Sequence, residues 1–164
     1  MKGPLCDECV RKNVLCGDCS GRLERGEISE TDVQLARLLT KLEQKDIVRG
    51  AVFDKSFDVD GLIIITTRGK VGPLVGKGGR VIRLLSKEFN RKVRVVNTID
   101  HKTAIADLLA PARIQGMNVV YKPEGEETKV IINKEDKYKL VTNLETIQKA
   151  ANKLSDKAIV IEVR

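Results

Sequence analysis

The spacing of apolar positions divides the chain into a helical front and a β-rich remainder. Leu35, Leu38, Leu39 and Leu42, with Ala36 beside them, recur at helical spacing and predict a connecting helix buried along one face. Ser29, Glu30, Thr31 and Asp32 mark its start, since a serine hydroxyl caps the first amides and acids suit the positive helix end. Lys41 and Lys45 suit its C-terminal half. Beyond it the pattern turns to strands: residues 47–53 and 62–67 are β-rich and flank a charged turn holding Asp58, Asp60 and Gly61. Val81, Ile82, Leu85 and Phe89 give the next helix an apolar inner face, followed by an apolar, basic strand at 92–96 and a short helical stretch at 102–109. The remainder repeats this plan, with strands at 114–122 and 128–133 around a polar turn at 123–127, a helix at 144–154 and a strand at 158–163. Strand, strand, helical segment, helix, strand thus occurs twice, and predicts two related α/β modules, the second lacking a glycine loop.

Composition sharpens this picture. With 41% hydrophobic and 32% charged residues in 164, the chain has the content of a folded protein rather than a disordered one. Only 3% are aromatic and there is no Trp, so the core must be built mainly from Val, Ile, Leu and Ala. The same scarcity argues against a sheet that stacks RNA bases on aromatic rings. Apolar runs such as residues 62–65 are far too short for a bilayer, and the opening residues do not lead into the apolar stretch of a secretory signal. The expectation is a cytoplasmic protein with no membrane partner.

The net charge is +7, from 30 Lys and Arg against 23 Asp and Glu, and its placement matters more than its size. Residues 61–100 hold Arg68, Lys70, Lys77, Arg80, Arg83, Lys87, Arg91, Lys92 and Arg94, with only Glu88 and Asp100 as acids. The rest of the chain carries 21 basic and 21 acidic residues, so the whole excess lies in this one stretch. A local excess of that kind is the mark of a polyanion site.

All four cysteines fall near the start, as Cys6-x-x-Cys9 and Cys16-x-x-Cys19. In a chain without secretory features, paired Cys-x-x-Cys spacing points to a metal rather than disulfides, and four thiolates complete a tetrahedron around one structural Zn²⁺. The six residues between the pairs are fewer than in many zinc motifs, so the segment must be compact. A binuclear cluster would need two further cysteines. Gly17 is expected to supply the backbone freedom of a knuckle, and Arg11, Lys12 and Arg22 to offset the sulfur charge. Redox dithiols, an iron–sulfur centre and metal-free structural thiols are the competing readings. Four thiolates close the zinc shell, so no metal-activated water follows.

Gly76-Lys77-Gly78-Gly79 lies between a short helical turn and the amphipathic helix. It does not fit the nucleoside-triphosphate loop, because Gly72 is followed by too few residues and Gly78 stands where a hydroxyl is needed. It does not fit the dinucleotide fingerprint either, since Val81 occupies the last glycine position. It does fit a Gly-x-x-Gly clamp that brings backbone amides against nucleotide phosphates. The following helix adds amides and a positive end, Lys77 an ammonium, and Arg80 and Arg83 an extension along the strand. His101 is the only histidine and has no nucleophile partner in view, so it is expected at a cap or on the surface and no enzyme activity is expected.

Val75-Gly76-Lys77-Gly78-Gly79-Arg80-Val81-Ile82 resembles the signature of KH domains. Two tandem modules joined through Leu109-Ala110-Pro111-Ala112-Arg113 resemble the NusA-related transcription factors of archaea, over residues 47–164. The resemblance implies an α+β protein with two type II KH modules that binds single-stranded RNA in transcription elongation or termination. The expected layout is a zinc segment (1–27), a connecting helix (28–46), a KH module with the glycine clamp (47–109) and a degenerate module (110–164). In the second module the corresponding turn, near Thr142, Asn143, Leu144 and Glu145, has no glycine and carries an acid. That module is expected to brace the first, and the zinc segment to contact RNA polymerase, the ribosome or RNA. No small-molecule substrate is expected. The alternatives are a ribosome-associated KH protein and a zinc-dependent adaptor with scaffold modules.

Overall fold

A computed structural model describes residues 3–155 and 157–164, and is a mixed α+β fold with two three-stranded sheets. The chain divides into two units, Met1–Asn97 and Thr98–Arg164.

In the first unit, two short helices, α1 (Asp7–Arg11) and α2 (Gly17–Glu24), precede the longer α3 (Glu30–Gln44). The expected start of α3 is a full capping box: the Asp32 N–H donates to Ser29 Oγ at 3.1 Å, and the Ser29 N–H to Asp32 Oδ2 at 2.9 Å. Its stripe buries Val33, Leu35, Ala36, Leu39 and Leu42. Strands β1 (Lys55–Val59) and β2 (Leu62–Thr67) form an antiparallel hairpin, and β3 (Lys92–Asn97) lies parallel to β2 in the order β1-β2-β3. Central β2 is buried along its whole length. Between β2 and β3 run α4 (Gly72–Val75), a 3₁₀ turn at Lys77–Gly79 and α5 (Arg80–Phe89).

Two expectations change here. Residues 47–53 are not a strand; they run irregularly and anchor through buried Val48, Ala51 and Phe53. The first strand lies instead over residues expected to turn, because Asp60 and Gly61, at φ 50° and 86°, make a two-residue hairpin loop that folds Val59 onto Leu62. The second change concerns organisation. Leu5, Cys9 and Cys19 share one apolar cluster with Leu35 and Leu39 of α3, Ile63 and Ile65 of β2, and Leu85 of α5. The cysteine segment, α3 and the first sheet therefore form a single packed unit rather than three successive pieces.

The second unit begins with α6 (His101–Leu109), which sequence reasoning had attached to the first module. Its Ala104, Ile105, Leu108 and Leu109 are buried, and it packs against α7 (Leu144–Leu154). Strands β4 (Ile114–Lys122), β5 (Gly125–Ile132) and β6 (Ala158–Val163) repeat the first sheet, with β4 antiparallel and β6 parallel to β5. A 3₁₀ turn at Asp136–Lys139 stands between β5 and α7. Each repeat thus opens with its own helix, α3 or α6, ahead of the hairpin. Among the described residues, no helix is long and apolar enough to cross a membrane.

Candidate nucleic-acid interface and metal centre

Each Cys-x-x-Cys pair straddles the start of a helix. Cys6 and Cys16 occupy the N-cap positions of α1 and α2, and Cys9 and Cys19 follow within the first turn, both 1% exposed. Gly17 is simply the first residue of α2 and carries no positive φ, so the knuckle is built by helix starts rather than by a glycine. The four sulfurs lie within 4.8 Å of one another, with Cys6 Sγ at 3.3 Å from Cys9 Sγ and 4.0 Å from Cys16 Sγ. Sulfurs at ~2.3 Å from one tetrahedral ion would be ~3.8 Å apart, inside this range. No pair is joined as a disulfide.

The electrostatics of the four thiols are compatible with a cation among them. The Cys19 N–H aimed at Cys16 pulls that thiol down to about 7. At Cys9 the Cys16 N–H pulls the same way, but burial and the neighbouring sulfurs prevail, and the thiol is pushed up to about 12. Packed sulfurs cannot share several negative charges unless positive charge sits among them. Two arginines hold the surrounding backbone: Arg22 Nη1 donates to the Pro4 carbonyl at 2.6 Å, and Arg37 Nε to the Cys9 carbonyl at 3.3 Å. Arg37 went unnoticed in the sequence because it comes 28 residues after the cysteine it touches.

At the glycine turn, Gly76, Gly78 and Gly79 all have positive φ, at 77°, 63° and 78°. Gly76 is further constrained by contact. A Cβ there would lie 2.5 Å from Val81 Cγ2 and 2.8 Å from the Val81 nitrogen. Nothing lies within 4 Å of a Cβ at Gly78, so that side faces open space. The turn uses two amides internally, Gly79 N–H to the Gly76 carbonyl and Arg80 N–H to the Lys77 carbonyl. The Lys77 and Gly78 amides are outside those two bonds.

No family model matches the chain, and no curated protein matches it. Among solved structures, the crystal structure of APE1850 is similar, with a TM-score of 0.55 and 20% identity, over 78% of this chain and 96% of that one. The likeness is one of fold.

The expected cations are distributed unevenly. Lys77 and Arg80 are exposed and, among the described residues, form no ion pair. Arg83 folds back over the turn, its Nη1 donating to the Gly78 carbonyl at 2.5 Å, so it braces the turn while keeping its charge there. Arg91 is paired with Asp58 on β1, a neutralisation the sequence could not reveal. His101 is exposed at the first position of α6, and the cap is Asp100, whose Oδ1 accepts from the Thr103 N–H at 2.8 Å.

Proposed function

We propose that this chain is a single-stranded RNA-binding protein of the NusA-like kind, with two type II KH modules and one structural Zn²⁺ on Cys6, Cys9, Cys16 and Cys19. It acts as a binder in the cytoplasm, not as a catalyst, and serves transcription elongation or termination. RNA backbone passes over Gly76, Lys77, Gly78 and Gly79, where amides without a covering side chain meet phosphate oxygens. Lys77 and Arg80 add charge, and Arg83 fixes the turn's shape. The observation that carries the reading is the turn itself: three left-handed glycines around one exposed lysine, at the head of a helix with no side-chain cap.

The test is fluorescence anisotropy with a single-stranded RNA, comparing the native chain with Lys77→Asp/Gly78→Asp. Affinity should fall at least about tenfold while circular dichroism stays unchanged. The native log–log salt slope should be about −2 to −3, from three or four phosphates at roughly −0.7 each. Unchanged affinity in a folded variant, or a slope near zero, removes the clamp reading. Crosslinking in cells followed by sequencing separates transcripts from ribosomal RNA, and with them the transcription role from a ribosomal one.

A further inference from the structure

A second cationic feature lies in the first unit, away from the glycine turn. A cleft of about 250 Å³ opens between α1 and α3, lined by Val10, Arg11, Asn13, Arg37, Thr40, Lys41 and Gln44. Three of these carry positive charge and none is an acid. Arg11 and Lys41 are exposed and have no ion-pair partner among the described residues. Arg37 is half-buried; its Nε is used on the Cys9 carbonyl, and its Nη2 is buried with no hydrogen-bond partner. A partly buried guanidinium with an unsatisfied donor and no acid in its cleft is unfavourable unless an anion offsets it.

We propose that this cleft is a phosphate-binding site. The exposed Arg11 fork matches phosphate oxygens in pairs, Arg37 adds its charge from the cleft wall, and the lysine and the Asn13 and Gln44 amides supply further donors. An acid, Glu88, lines the adjoining cleft, which shares Arg37 and Lys41 with this one. That neighbour also relates the cleft to the turn. Glu88 and Phe89 end α5, and the glycine turn begins it, so ten residues of helix, about 15 Å, lie between them. Resting on the RNA reading above, the natural occupant is a backbone phosphate of the same strand, a few nucleotides beyond the clamp. Free phosphate is the other source of the same chemistry.

The test uses the full zinc-loaded chain and Lys41→Glu, a change at an exposed position on α3. Lys45→Glu, the same charge change at the exposed end of that helix and outside the cleft, is the control. With a twelve-nucleotide RNA, Lys41→Glu should lower affinity about fivefold at 0.1 M salt and flatten the salt slope by about 0.7, the share of one phosphate. With a tetranucleotide that covers only the turn it should change nothing, and Lys45→Glu should keep the native slope on both. Inorganic phosphate, titrated alone, should shift the amide resonances of Arg11 and Asn13 in the native chain and not in Lys41→Glu. A phosphate shift without an RNA effect upholds the site and assigns it free phosphate, overturning the backbone source. Neither effect overturns the site. Loss of RNA binding in Lys77→Asp/Gly78→Asp is read separately, so a failed clamp and a failed cleft give different patterns.

Discussion

The two repeats share strand order, pairing directions and a helix at each start, but differ in the segment that crosses from the second strand to the third. In the first, that segment ends on Gly79, which has no side chain to cap α5. In the second it ends on Asn143, whose Oδ1 accepts the Thr146 N–H at 2.8 Å and closes the head of α7 from within. One scaffold therefore presents an uncapped helix end flanked by cations, and the other a helix end satisfied by its own chain. The difference shows how two repeats with the same strand pairing can present different groups at one turn.

The largest expected effect separates the units by their dependence on the cysteine cluster. Cys9 and Cys19 belong to the first unit's core, so Cys9→Ser or chelation should remove metal and core contacts together. Because metal binding is folding free energy in such sites, the loss should consume most of a domain stability of about 5–15 kcal/mol. Hydrogen exchange should show protection collapsing over residues 3–97 and persisting over 98–164. Equal protection in both units after metal loss would contradict this, and elemental analysis of the native protein should give one zinc per chain.

A smaller effect sets two glycines against each other. Gly76→Ala places a methyl against Val81 and forces a left-handed backbone, costing about 2–3 kcal/mol. Gly78→Ala, in the same turn, meets no atom within 4 Å and should cost only about 1 kcal/mol from its left-handed backbone at φ 63°. Urea midpoints compare the two, and similar losses would remove the argument that Gly76 is fixed by contact with α5.

Next come the two helix heads themselves. Asn143→Ala should destabilise the second unit by about 1 kcal/mol and leave RNA affinity unchanged. Lys77→Asp should do the reverse, weakening RNA binding with little change in stability, since Lys77 is exposed. Paired melting and anisotropy measurements read both. Weaker RNA binding in Asn143→Ala would show that the second turn also meets the ligand.

Periodicity made α3, α5, α7 and β6 legible in the sequence, because each has a strong one-sided pattern and, in α3, a recognisable capping box. Strand β1 was not. Its residues Lys55, Ser56, Phe57, Asp58 and Val59 are weakly apolar, and half its definition is a long-range bond: buried Asp32 on α3 accepts from the Ser56 N–H at 2.5 Å and Ser56 Oγ at 2.7 Å. Read locally, Asp32 serves as a helix-start acid; folded, it also ties helix to sheet. The site divides in the same way. Spacing alone groups the four cysteines and the glycines, which are local, whereas Arg37 on Cys9 and Asp58 on Arg91 join residues far apart in sequence.

The smallest expected effect is one of pH, and it belongs to the second connection alone. Buried Asp136 accepts from Lys139 Nζ at 2.8 Å and from the Arg113 N–H at 3.0 Å. The Lys139 ammonium, then the Arg113 amide, hold its carboxyl below the usual aspartate value. The fold thus favours the charged form, and the unfolded chain takes up its proton first as pH falls. The contribution is fully present above the ordinary aspartate value, near 4, and is lost as pH drops through the depressed folded value. The corresponding stretch of the first repeat, residues 68–79, contains no acid and has no such dependence. Comparing Asp136→Asn with the native chain by urea unfolding, the variant's deficit in the second unit should be constant from pH 5 to 7 and shrink below about pH 4. A deficit that stays the same down to pH 2 would mean that Asp136 stabilises this turn by shape and hydrogen bonding rather than by charge.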